Sequence, residues 1–210
     1  MKSKKIEIKK ESSKKLKILA AGDLHGDSRL AESLAKRAQK EKVDLVILNG
    51  DISGLIETEN LIRPFTKRNE KVVFVPGNWD DPDTASFLSK FYGIKNIDNY
   101  YVKYKDVGIF GAGNSRGTLE TEEETFRKLE KNFKKIKNLE KKVMVTHMHA
   151  AGTKSELSGF PGNEGIRKAI EKFQPDLFIS GHIHELEGVE EKIGKTRVIN
   201  VGKKGKIIEI

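Results

Sequence analysis

At 210 residues the chain is long enough to bury a substantial core within one ordinary-to-large domain. It contains no cysteine, which excludes disulfides and thiolate ligands and leaves His, Asp, Glu and Asn as the donors available to a metal. The net charge of +9 points to nucleic acid only until it is located: residues 1–17 hold eight Lys and two Glu, so the rest of the chain carries +3.

Residues 1–15 therefore read as a basic N-terminal tail and 16–210 as a single domain. Nucleic acid is a conceivable partner, but the charge of the core does not support it. No apolar run approaches the length of a membrane span, so no membrane partner is expected. The lysine-rich start lacks the apolar stretch of a signal peptide, and the default expectation is a cytoplasmic protein. Composition is compatible with a monomer or a homo-oligomer.

In chain order, Ile6 and Ile8 alternate with charges as a short edge strand would. The run K-I-L-A-A-G-D-L-H-G, residues 17–26, is a buried strand that breaks at Gly22 and delivers Asp23 and His25 one residue apart. If the backbone is still extended there, both side chains face one spot. Leu30, Leu34 and Ala38 then recur at helical spacing, with Asp27 or Ser28 as cap. Asp44 to Asn49 is a second buried strand. Thr58 is placed to cap a short helix carrying Leu61, Ile62 and Phe65 inward. Val72 to Val75 is a third strand, and Asp81-Pro82 reads as cap and first residue of a helix burying Phe87, Leu88 and Phe91. Alternating strands and helices predict a parallel sheet with crossover connections.

The middle of the chain changes character. Tyr100 to Tyr104, the turn Asp106-Val107-Gly108 and Ile109 to Gly111 predict an antiparallel hairpin. The loop G-A-G-N-S-R-G, 111–117, is either plain connection or a lip offering Arg116 to an anionic substrate. Thr121 with Glu124 forms a capping box for a helix whose Phe126, Leu129, Phe133 and Ile136 make one apolar stripe. Val143 to Thr146 is a buried strand ending at His147 and His149. Asn163 caps a helix burying Ile166, Ile170 and Phe173, stopped ahead of Pro175. Leu177 to Ser180 is another strand, ending at Gly181, His182 and His184. The remainder, through strands at Leu186–Ile193, Thr196–Val201 and Lys206–Ile210, reads as an antiparallel meander with glycine turns. Two packed sheets flanked by helices follow.

Four apolar runs end in Gly followed by a potential ligand: Asp23, Asp51, Asn78 and His182. Glycine there allows a sharp turn or a close backbone approach, and ligands released at strand carboxyl ends are how open α/β sheets build sites. All five histidines, 25, 147, 149, 182 and 184, fall at such ends. Packing that many polar groups together without a cation would strand donors and acceptors. Mixed oxygen and nitrogen donors suit divalent manganese, iron, nickel or zinc.

The order of these motifs resembles the calcineurin-like metallophosphoesterase superfamily: D-L-H at Asp23, G-D at Asp51, G-N-W-D at Asn78, the His at 147, and G-H-I-H-E at His182. The match spans Gly22 to His184 and is most similar to the compact prokaryotic phosphoesterases. The resemblance implies a four-layer α/β/β/α sandwich with mixed parallel and antiparallel sheets. It also implies two divalent metals, manganese being the leading choice. One would be held by Asp23, His25, His184 and a shared Asp51, the other by Asp51, Asn78, His147 and His182. A hydroxide bridging the two metals is then the expected nucleophile for phosphodiester hydrolysis.

One departure from the pattern matters. The usual third motif is G-N-H-[DE], whose His assists the leaving group, and here Trp79 stands in that place. Indole only donates a hydrogen bond, so Trp79 is expected as a wall of the substrate pocket, and Asp80 loses its usual partner. His149 is the one spare imidazole, either a substitute catalytic acid or a supporting residue. Two other readings compete with the phosphoesterase. One is a non-catalytic scaffold, as in the retromer subunit of this fold; the other is a nuclease like the double-strand-break repair enzyme of the superfamily. The intact ligand set counts against the first, and the short chain and the charge confined to the tail count against the second.

Overall fold

The computed structural model describes residues 15–54 and 59–210. The expected strand around Ile6 and Ile8 and the Thr58 cap lie outside the described residues. Strand β1 (Lys17–Ala21) runs into helix α1 (Ser28–Glu41), and Asp27 caps that helix by accepting from the amides of Arg29 and Leu30. β2 (Leu45–Leu48), the short α2 (Arg63–Thr66), β3 (Val72–Phe74), α3 (Pro82–Tyr92) and β4 (Lys95–Asn96) complete the first half. β1 to β4 pair in parallel, as the alternation of elements requires. Helix α2 begins at Arg63 with a proline in its first turn and no side-chain cap.

The second sheet begins with the predicted hairpin, β5 (Tyr100–Tyr104) and β6 (Val107–Ala112). Its turn sits at Lys105-Asp106, with Lys105 left-handed, so Val107 and Gly108 belong to the returning strand. α4 (Glu122–Ile136) carries both halves of the Thr121–Glu124 capping box, and α5 (Glu164–Phe173) is capped by Asn163. β7 (Lys141–Thr146), β8 (Leu177–Ser180), β9 (Glu190–Ile193) and β10 (Thr196–Asn200) finish this sheet in the order β5-β6-β7-β8-β10-β9.

The C-terminal meander is not one. β9 and β10 pair antiparallel, but β10 lies parallel to β8, and β11 (Lys206–Glu209) crosses to the first sheet and pairs antiparallel with β1. Alternating side chains reveal a strand but not its partner, and β1 offered an open edge.

Alternation on the strands divides the interior into three apolar layers. Ile18, Ala20, Leu45, Ile47 and Val73 face Ile109, Val143, Val145, Leu177 and Ile179 between the sheets. Leu19, Val46, Leu48 and Phe74 face the other way, onto α1, α2 and α3. Phe110, Met144, Phe178 and Val198 bury against α4 and α5. The result is the expected α/β/β/α sandwich. Among the described residues, no helix is long and apolar enough to cross a membrane.

One core expectation fails on α3. Leu88 is buried beside Ala85, but Phe87 and Phe91 are 56% and 68% exposed. The helix approaches the sheet through its small alanine, which turns the Phe87/Phe91 edge outward. The two rings stack on each other at 5.2 Å instead.

Candidate metal centre

The carboxyl ends of β1, β2 and β3 meet those of β7 and β8 at one edge of the sandwich. The side chains converge there, though not by strand alternation. Asp23 and His25 have φ of 55° and 46°, so the backbone has left the extended region before either ligand. Asp51 and His182 are left-handed too, at 51° and 71°. Non-glycine residues seldom adopt this conformation, and clusters of them mark functional sites.

The strand-end glycines act by close approach. A Cβ on Gly77 would stand 2.2 Å from Asp51 Oδ1 and 2.4 Å from the Asp51 amide nitrogen. One on Gly50, whose φ is 106°, would meet His147 Nδ1 at 2.6 Å. Bare backbone at these points lets three loops close on one another.

The donor atoms form two groups that share the Asp23 carboxylate. Asp23, His25 and His184 bring their ligand atoms within one cluster, and Asp23, Asp51 and His147 form another. Asp51 Oδ2 lies 3.7 Å from His25 Nε2 and 3.3 Å from His147 Nε2. His25 Nε2 stands 3.2 Å from His184 Nε2, and His184 Nε2 is 3.4 Å from Asp23 Oδ1. Asn78 Oδ1 lies 2.8 Å from His147 Nε2, and the His182 ring is edge-on to His147 at 5.1 Å. The seven residues singled out thus lie around one strand-end cluster, five of them in the two donor groups, with Asn78 and His182 beside His147.

The surroundings suit a cation. His147 Nδ1 is 3.0 Å from the Asn49 carbonyl, which can only accept, so Nδ1 carries the proton. In the neutral ring the lone pair of Nε2 then faces two further acceptors, Asn78 Oδ1 and Asp51 Oδ2, whereas the protonated ring donates to them. Asp23 Oδ2 is buried with no hydrogen-bond partner among the described residues. Acceptors aimed at acceptors, with an orphaned carboxylate oxygen beside them, fit a divalent metal.

Titration behaviour follows the same arrangement. Burial pushes the Asp51 carboxyl up, but hydrogen bonding and charge from His147, with the Trp79 amide, outweigh it and the net shift is downward. Burial pushes His147 down, yet the Asp51 carboxylate more than offsets it and the imidazole is raised. Burial, reinforced by the neighbouring His147, lowers His182 to about 4. His25 is lowered as well, chiefly by burial against the opposing pull of Asp51 and Asp23. Neutral imidazole is the form that binds metal.

Two residues outside the ligand set shape the centre. Asp80 is buried and accepts from the Ser53 amide at 2.8 Å, the Ser53 hydroxyl at 2.6 Å, the Ile52 amide at 3.0 Å and the Gly77 amide at 2.9 Å. Lacking a motif histidine to pair with, it clasps the Asp51 loop to the Asn78 loop. Asn49, a polar residue inside the run V-I-L-N-G, went unweighed in the sequence. Its carbonyl orients His147, and its side-chain amide is buried without a partner among the described residues. A buried polar residue in an otherwise apolar strand was the available signal.

Trp79 is 42% exposed and stands edge-on to the His25 ring at 5.4 Å, while its amide donates to Asp51 Oδ1 at 2.8 Å. The Arg116 amide donates to the Asp80 carbonyl at 2.9 Å, which sets that exposed residue beside the same loop. His149 is buried. Its Nε2 lies 3.3 Å from the Phe160 carbonyl, its ring lies parallel to His182 at 6.1 Å, and its Nδ1 has no partner among the described residues.

A two-sheet sandwich collecting Asp, Asn and His at converging strand ends defines a protein of the metal-dependent hydrolase class. The chain belongs to the calcineurin-like phosphoesterase family, whose model matches residues 16–186. This family uses divalent metals. The fold is similar to that of TT1561 from Thermus thermophilus, with a TM-score of 0.71, 15% identity and coverage of 93% of this chain and 99% of that one. A dimetal phosphatase from Danio rerio aligns with a TM-score of 0.62 and 13% identity over 90% and 88% of the two chains. A structure described as a novel archaeal phosphodiesterase aligns with a TM-score of 0.53 and 18% identity over 92% and 98%. No curated protein sequence matches the chain.

Proposed function

We propose that the chain is a dinuclear metal-dependent phosphoesterase acting on phosphodiesters, with manganese the first metal to try. The observation that carries this reading is Asp51 Oδ2, 3.7 Å from His25 Nε2 and 3.3 Å from His147 Nε2, at the meeting of two donor groups that also share Asp23. A carboxylate in that position can be shared by two cations. Asp23, His25 and His184 would hold one ion with Asp51, and Asn78, His147 and His182 the other. Ions bound there would supply charge that polarises a phosphoryl group and lowers the pKa of water.

The chain's own residues set the preference among leaving groups. The Asn49 carbonyl fixes the His147 tautomer, and the Trp79 amide orients Asp51, so both ligands are positioned before substrate arrives. With indole at the motif position, no side chain there can protonate a departing alkoxide. Esters whose leaving groups depart without a proton are favoured, and alkyl monoesters are disfavoured.

The test is reconstitution of chelator-stripped protein with manganese, followed by elemental analysis and hydrolysis of bis(p-nitrophenyl) phosphate. Two equivalents per chain and measurable turnover are expected. Asp51→Asn should lose metal and at least about 100-fold in rate together. Full two-metal loading of Asp51→Asn would remove Asp51 from the shared position.

A further inference from the structure

Between β10 and β11 the chain crosses from the second sheet to the first, and residues 201–205 make that crossing beside the metal centre. The Gly22 amide, one residue before Asp23, donates to the Gly202 carbonyl at 3.0 Å, and Gly205 lies against Ala21. On its other side the crossing meets the turn that carries His184. Asn200 Nδ2 donates to the Ile183 carbonyl at 2.7 Å, and the Glu187 side chain lies against Gly202. One short segment thus borders both loops that bear the Asp23, His25 and His184 group.

The segment is held from several directions. The Val201 amide donates to the Ser180 carbonyl at 2.9 Å and the Lys204 amide to Glu187 Oε1 at 2.7 Å. Arg37 reaches from α1 to the Lys204 and Gly205 carbonyls at 2.7 and 3.1 Å. Lys203 and Lys204 are both exposed, and neither ammonium makes a hydrogen bond or ion pair among the described residues. The two differ in place. Lys204 is anchored toward Glu187 and α1, whereas Lys203 follows directly on the residue bonded to Gly22. His25 registers that neighbour: burial is the main cause of its lowered pKa, and the positive charge of Lys203 pushes in the same direction.

An ammonium binds phosphate oxygens as a compact point charge, and a backbone already fixed leaves little more than one side chain to order on binding. We propose that Lys203 is a substrate-binding residue, its ammonium meeting non-bridging oxygens of the phosphoryl group on the Asp23, His25 and His184 side of the centre. It selects for an anionic phosphoryl group and acts in binding, not in proton transfer. The assignment deepens the phosphoesterase reading and rests on it for the substrate, but binding of inorganic phosphate needs no turnover.

Chelator-stripped full-length protein is reloaded with manganese, freed of excess metal and titrated with inorganic phosphate in a calorimeter. Lys203→Ala should bind phosphate about 10-fold more weakly than wild type, and Lys203→Arg within about 3-fold of it. Lys204→Ala removes the same charge one residue away and leaves its backbone bonds in place, so it should match wild type. Manganese content and Tm should be equal in all four proteins, which a purely structural role for Lys203 would not allow. With bis(p-nitrophenyl) phosphate, Lys203→Ala should raise KM several-fold and leave kcat within about 2-fold. Phosphate affinity of Lys203→Ala equal to that of wild type would overturn the assignment. So would an equal loss in Lys204→Ala, the mark of a diffuse positive field, or a fall in kcat with KM unchanged. If phosphate binding depends on Lys203 while wild type leaves the diester intact, the hydrolase reading fails and the anion site stands. If wild type hydrolyses the diester and Lys203→Ala binds phosphate equally well, Lys203 alone loses its role.

Discussion

His149 shows how burial assigns a role to a spare imidazole. The Phe160 carbonyl can only accept, so Nε2 carries the proton, and Nδ1 is buried with its lone pair unused. Burial also lowers its pKa, against a smaller upward pull from the Phe160 carbonyl and Glu156. A neutral ring lying parallel to His182 suits support of that ligand better than proton donation. His149→Gln should therefore slow hydrolysis of activated and unactivated diesters by the same factor, about 10-fold, with weaker metal retention. A loss confined to esters with poor leaving groups, measured by comparing p-nitrophenyl and alkyl substrates, would restore the acid role.

At the scale of elements, the site depends on loops being held together more than on the strands that launch them. Asp80 accepts from two loops at once, and no other side-chain acceptor among the described residues receives those donors. Asp80→Asn puts an NH2 group among amide donors and removes the charge that strengthens each bond. Unfolding in urea should show a loss of about 2–4 kcal/mol. Manganese affinity should fall with it, since the Asp51 and Asn78 loops would no longer be fixed; stability within error of wild type would show the clasp to be dispensable.

Much of this scale was legible beforehand, because buried strands, capping residues and strand-end ligands are written in short stretches of chain. Thr121 and Glu124 need only each other, and the four G-ligand junctions repeat a local pattern. What could not be read depends on distant partners. β11 looks like a meander strand until β1 is known to have a free edge. Phe87 and Phe91 have the spacing of a buried face, and only the packing of α3 through Ala85 and Leu88 leaves them exposed. Asp80 lost its expected partner at Trp79, and its clasp is visible only once Ile52 and Ser53 lie beside it. Strand alternation predicts that these side chains converge, whereas the backbone turns left-handed to achieve it.

For the whole molecule, the metal-free fold should weaken in mild acid. His25, His149 and His182 have folded pKa values below the ordinary 6.5, so each resists protonation more in the fold than in the unfolded chain. Their contribution is intact above about pH 6.5 and is lost as pH falls through that value toward the folded one, reaching about 4 for His182. His147 has the opposite sign: its raised pKa stabilises below 6.5 and fades as pH rises through the folded value. Three lowered groups against one raised predict a lower Tm at pH 5 than at pH 7 in chelator, read by calorimetry. Bound metal competes with the same protons, so the manganese-loaded protein should also release metal over that interval. A metal-free Tm that is flat or rising toward pH 5 would contradict this.

The left-handed backbone at Asp23, His25, Asp51 and His182 carries a consequence for how such a chain can change over generations. An L side chain in that region costs about 1 kcal/mol that glycine does not. At ordinary positions glycine is the less stable replacement, yet at His25 the order should invert, with His25→Gly more stable than His25→Ala to urea in chelator by about 1 kcal/mol. The ligands therefore sit where the fold would prefer no side chain at all. If metal-dependent hydrolysis is what retains them, as proposed above, a lineage released from it could drift to glycine at His25 with little backbone penalty. Its sandwich would persist intact around a centre that no longer held metal.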